Sequence, residues 1–127
     1  MRLFLIRHGR QSSPLCNVDV ELSEEGVQQA TLLAARLSGL IPDRIYTSGL
    51  LRAKQTAGII FGKNAEVLVR EELNEISFGD LTGRPDAENK TVYRDYFSAK
   101  RRKEENLRIP GGESPEEVYA RAAGVVA

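Results

Sequence analysis

Leu5-Ile6-Arg7-His8-Gly9 is the stretch on which the fold turns. Leu3, Phe4, Leu5 and Ile6 make a short continuous apolar run, the pattern of a strand buried on both faces of a parallel sheet. Strands of that kind present their ligand-binding residues at the carboxyl end, where Arg7 and the chain's one histidine, His8, stand. A neutral imidazole can attack phosphorus and carry the phosphoryl group covalently. An arginine can chelate phosphate oxygens, and a glycine in the position of Gly9 lets the backbone pass close to a bound anion. A histidine that merely satisfies a backbone carbonyl fits the same residues, and on this stretch alone that plainer reading stands at least level.

Length and composition narrow the class. At 127 residues with 41% hydrophobic residues the chain is expected to form a single domain, residues 1–127, with a packed core. Formal net charge is zero with 28% charged residues, so the overall field points to neither nucleic acid nor a membrane surface as partner. The one cysteine, Cys16, cannot support a disulfide framework, and no further Cys or His completes a zinc site. No metal and no cofactor are expected, and a reducing, cytoplasmic setting fits. The apolar residues after Met1 and Arg2 are too few for a signal peptide, and no run approaches a membrane span.

Beyond His8, residues 10–21 carry Pro14 and Asn17 with no helical period and suit a loop over the pocket. Ser23 before Glu24 and Glu25 marks a helix start, and Val27, Ala30, Leu33, Ala34 and Leu37 recur at helical spacing up to a cap at Gly39. Arg44 to Thr47, with Ile45 and Tyr46, predict a strand, Ser48 an N-cap, and the next helix runs to about Phe61, where Gly62 stops it. Arg52 falls in the first turn of that helix, within reach of the preceding strand end. Val67 to Val69 predict another strand. From Asp80 to Arg108 charge is dense, and Tyr93, Tyr96 and Phe97 suit a short amphipathic helix. Ser114-Pro115-Glu116-Glu117 is a capping box with proline at the first helical position, followed by an apolar stripe of Val118, Ala122 and Val126. Glu113 and Ser114 are thereby expected to be architectural.

Taken in order, several blocks resemble the histidine phosphatase superfamily, the phosphoglycerate mutase-like family. They are Arg7-His8-Gly9, then Leu22-Ser23 with Gly26 and Gln29-Ala30, then Tyr46-Thr47-Ser48 with Arg52-Ala53 and Gln55-Thr56-Ala57. Glu75 with Phe78-Gly79 and Gly83, and Pro110-Gly111-Gly112-Glu113-Ser114, complete the set. The resemblance implies an α/β fold, a three-layer α/β/α sandwich with a mainly parallel sheet. It implies metal-independent hydrolysis of a phosphomonoester through a phosphohistidine, with His8 as nucleophile and Glu75 as general acid. Arg7, Gly9, Asn17 and Arg52 would bind phosphate, although Asn17 lies farther from the histidine than the family's usual asparagine and also suits a turn. The insert at about 80–108 would be a mobile lid that selects a small phosphorylated substrate or phosphate ion.

One departure follows from the count of histidines. The family carries a second catalytic histidine beyond the helix that starts at Ser114, and His8 is the only histidine here. The chain is therefore expected to be C-terminally incomplete, short of one strand and helix, with apolar sheet surface left open and impaired activity. Phosphatase is preferred because the segment after Glu75 lacks the longer mutase pattern; the alternatives are mutase-type phosphotransfer and a non-catalytic phosphate-binding remnant. A dinucleotide-binding fold competes poorly, since no G-x-G-x-x-G follows the first run. Oligomeric state and substrate identity are not encoded in any motif.

Overall fold

The computed structural model describes residues 1–126, with Val126 as backbone only. The Val126 end of the expected apolar stripe and the pattern's stop at Ala127 lie outside the described residues. The chain divides into two compact units, Met1–Ser13 with Asp19–Glu71, and Pro14–Val18 with Glu72–Ala127. The fold is α/β.

In the first unit, α1 (Glu24–Arg36) begins where the sequence predicts: Ser23 Oγ accepts from Gly26 N at 3.0 Å, and Glu24 and Glu25 face the positive end of the helix dipole. Its buried side carries Gly26 and Ala30, while Val27, expected in the stripe, is exposed. The helix ends at Leu37, whose N–H reaches Leu33 O, so the expected Gly39 cap is not used; a turn from Leu40 N to Leu37 O redirects the chain first. Strands β1 (Ile45–Thr47) and β2 (Val67–Val69) pair in parallel with Ile45 opposite Val67 and Thr47 opposite Val69. The connection between parallel strands must cross over, and α2 (Leu51–Phe61) does so. Gly62, at φ 88°, stops α2 as expected.

Two further expectations for this unit are corrected. Ser48 does not cap α2: the cap residue is Leu50, and the free N–H of Leu51 is taken instead by Asp19 Oδ1 at 2.8 Å. Leu3–Ile6 is not a buried strand. Among the described residues it has no ladder partner, and Leu3, Phe4 and Leu5 are 60%, 50% and 87% exposed. An apolar run takes up strand pairing only where a second edge lies beside it, and local composition cannot supply that edge.

In the second unit, the expected single helix at the aromatic cluster is two: α3 (Asp86–Val92) and α4 (Arg94–Arg101), which break at Tyr93. Tyr96 and Phe97 meet edge to face at 5.2 Å between centroids. Leu81, Ala99 and Ile109 form the buried apolar centre, joined by Asn89, whose amide donates to Leu81 O at 3.0 Å. The last helix, α5 (Pro115–Val126), starts with the full capping box: Ser114 Oγ accepts from Glu117 N, and Glu117 Oε2 accepts from Ser114 N at 2.9 Å. No helix among the described residues is long and apolar enough to cross a membrane.

Candidate functional site

His8, Gly9 and Arg52 come together within the first unit. His8 Nδ1 lies 2.6 Å from its neighbour's carbonyl oxygen, Gly9 O. A carbonyl only accepts, so Nδ1 carries the hydrogen. The other ring nitrogen, Nε2, takes the Nε–H of Arg52 at 3.2 Å, so its lone pair points at a guanidinium. Arg52 is 3% exposed, in the first turn of α2, where a cation opposes the helix dipole. Asp19, bonded to Leu51 N next to Arg52, places a carboxylate at the same helix end.

The backbone around Gly9 is held from two sides. Gly9 N donates to Thr56 Oγ1 at 3.1 Å, and that hydroxyl donates to Arg52 O at 2.8 Å. Arg10 N donates to Gln29 Oε1 at 3.0 Å. The absent Cβ of Gly9 admits the backbone of Gly26 in α1, since an added carbon would collide with the Gly26 carbonyl. The Gly9 N–H is thus engaged by Thr56, and the close approach is to α1. Arg7 is exposed beside His8.

Asn17 and Glu75 belong to the second unit. Asn17 sits in a turn at φ 44°, and its amide donates to Ile76 O at 3.3 Å, next to Glu75 in the chain. Glu75 is exposed, and its backbone carbonyl accepts from Arg121 Nη2 at 3.3 Å. Arg121 also donates to Glu72 O, and through Nε and Nη2 to both carboxylate oxygens of Glu113, at 2.8 and 2.9 Å. Glu113 accepts from Ser77 N at 2.7 Å as well. The Arg121 guanidinium, with this amide, pulls the Glu113 carboxyl down from 4.5 to about 2. Glu113 thereby ties residues 72–77 to α5, the architectural role its sequence context implied.

Sequence reasoning gave no role to Gln29, Thr56, Asp19 or Arg121. Thr56 alone carried a usable signal, lying one turn after Arg52 on the same helix face. Among the described residues no cluster of His, Cys, Asp and Glu is arranged to hold a metal ion.

Comparison with known proteins identifies the family. The family model described as histidine phosphatase superfamily (branch 1) matches residues 3–127. A 2,3-bisphosphoglycerate-dependent phosphoglycerate mutase of Xanthobacter autotrophicus is 34% identical over 94% of this chain and 63% of its own length. Phosphoserine phosphatase 1 of Hydrogenobacter thermophilus is 35% identical over 98% of this chain and 62% of its own. The structure of a mycobacterial glucosyl-3-phosphoglycerate phosphatase in complex with VO3 matches with TM-score 0.81 and 32% identity, covering 94% of this chain and 62% of that one. The chain spans less than two thirds of the length of each of these relatives.

Proposed function

Because the chain belongs to the histidine phosphatase superfamily, we propose that it carries the phosphoryl-accepting site of a metal-independent phosphomonoester hydrolase. The observation that supports this most is the state of His8: Nδ1 is tied to Gly9 O, and the Nε2 lone pair faces Arg52. That is the form of imidazole a nucleophile needs.

In this reading the Nε2 lone pair forms a bond to phosphorus as the ester P–O bond breaks. Arg52 and Arg7 bind the non-bridging oxygens, where charge builds up, in planar two-pronged contacts. Glu75 gives its proton to the departing oxygen. Water then attacks phosphorus, the P–N bond breaks, inorganic phosphate leaves, and Glu75 recovers a proton from the water. Glu75 and Asn17 enter this scheme from the family resemblance, Asn17 as a further phosphate donor, and so does a substrate-selecting lid at about 80–108. Hydrolysis is preferred to mutase-type transfer, although relatives of both names match the chain.

Exposure to an activated phosphomonoester is expected to leave an acid-labile, base-stable phosphoprotein, and His8→Ala is expected to abolish it. A label that survives the substitution, or none on the unsubstituted chain, rejects the assignment. Phosphate affinity without any label selects the binding-remnant reading.

A further inference from the structure

Gly9 has no side chain to limit its φ and ψ, yet its carbonyl points at His8 Nδ1, which favours keeping the ring hydrogen there and off Nε2. The two peptide groups flanking Gly9 are each pinned by one side chain. In the His8–Gly9 peptide the N–H is held by Thr56 Oγ1, a hydroxyl whose own hydrogen is committed to Arg52 O, so it can only accept. In the Gly9–Arg10 peptide the N–H is held by Gln29 Oε1. A trans peptide is planar with N–H and C=O opposed, so holding Arg10 N fixes the direction of Gly9 O on the far side. Thr56 is 4% exposed and Gly9 is buried, so this part of the clamp is shielded from competing water.

On the reading of His8 as phosphoryl acceptor, we infer that Gln29 and Thr56 are positioning residues. They clamp the peptides on either side of Gly9 and thereby hold the Gly9 carbonyl on Nδ1, which together with the Arg52 Nε–H at Nε2 selects the Nδ1–H tautomer of His8. Neither touches the imidazole. Without the clamp the Gly9 carbonyl is free to swing away, Nδ1 loses its acceptor, and the Arg52 Nε–H, which cannot share Nε2 with a ring hydrogen, is left alone to oppose redistribution of that hydrogen to Nε2. Such redistribution would block the attacking lone pair. The connection also explains why one helix supplies both Arg52 and Thr56: the residue that faces Nε2 and the residue that helps secure Nδ1 move together on α2.

His8 is the only histidine, so ¹⁵N-histidine labelling reports its tautomer without ambiguity. At a pH where the imidazole is neutral, long-range ¹H–¹⁵N correlation is expected to show hydrogen on Nδ1 and a bare Nε2. Gln29→Leu, on an exposed helix position, is expected to fold and to give a mixture containing Nε2–H. Thr56→Val should do the same where it folds, while Gln29→Glu and Thr56→Ser keep the acceptor and the wild-type tautomer. Phosphohistidine formation in Gln29→Leu is expected to slow at least tenfold with phosphate affinity held within threefold. An Nε2–H tautomer in the wild-type chain overturns the inference, as does a folded Gln29→Leu with the wild-type tautomer. Absence of phosphohistidine in wild type defeats the acceptor role instead, and the tautomer spectra still decide whether the clamp exists.

Discussion

The Arg52 guanidinium donates through Nε to His8 Nε2 at 3.2 Å, so one hydrogen bond joins groups 44 residues apart in the chain. The atom expected to attack and a cation expected to bind phosphate are thus hydrogen-bonded to each other. An incoming phosphate that draws Arg52 onto its oxygens releases Nε2 in the same event. On the proposed reading, binding and activation are then coupled.

Arg52→Lys tests that coupling. A lysine keeps the charge but has neither the planar fork nor an Nε–H. Phosphate affinity, followed by titrating the ¹⁵N signals of His8, is expected to weaken about tenfold, the loss of one charge-assisted hydrogen bond. Unchanged affinity would mean that Arg52 supports the helix only.

Glu75→Gln is expected to slow hydrolysis of esters with poor leaving groups by about a hundredfold and to matter far less for good ones, because a general acid is needed only where the departing oxygen is basic. Measuring both classes of ester side by side decides it. Equal losses would assign Glu75 to binding or structure.

Asp19→Ala removes the acceptor at Leu51 N and with it a side-chain cap at the start of α2. A cost of about 1 kcal/mol in urea unfolding is expected, with Asp19→Asn retaining most of it. Asp19→Ala should also loosen Arg52 and weaken phosphate binding. A change in stability with no change in affinity would separate the cap from the site.

Glu113 sets an acid limit on stability. Its carboxyl is held at about 2 in the folded chain, against 4.5 when free. A depressed acid binds more protons unfolded than folded, so its stabilisation is complete above pH 4.5 and is lost as pH falls toward 2. Wild type is therefore expected to exceed Glu113→Gln in Tm at neutral pH, and the gap should close through that window. A gap that stays constant down to pH 2 would contradict the Arg121 pairing as its cause.

How much of this was legible in the sequence depended on how far each signal had to reach. The starts of α1 and α5 were plain, because Ser23 and Ser114 cap helices that begin within three residues of them. The β1 and β2 segments were marked by β-branched and aromatic residues. Leu3–Ile6 has the same local character, yet its state depends on an edge that local sequence does not contain. Ser48 offered a plausible cap, but Asp19, 32 residues away, satisfies α2. The break at Tyr93 carries no glycine or proline to announce it. Within the site, family resemblance marked His8 and Arg52, whereas the clamp reaches Gly9 and Arg10 from residues 47 and 19 positions distant, and no spacing rule links them.

Gly9 and Gly26 press backbone on backbone, and a methyl group on either would strike main chain: the Gly26 carbonyl in one case, Arg10 in the other. Main chain has no rotamer with which to yield. The two positions therefore form a joint whose tolerance is set by carbonyl and Cα, and no compensating change at one can make room for a side chain at the other. Directed evolution of this chain for new substrates would find these two codons closed. Variation has to enter through side chains that surround His8, because the backbone on which it rides leaves no clearance.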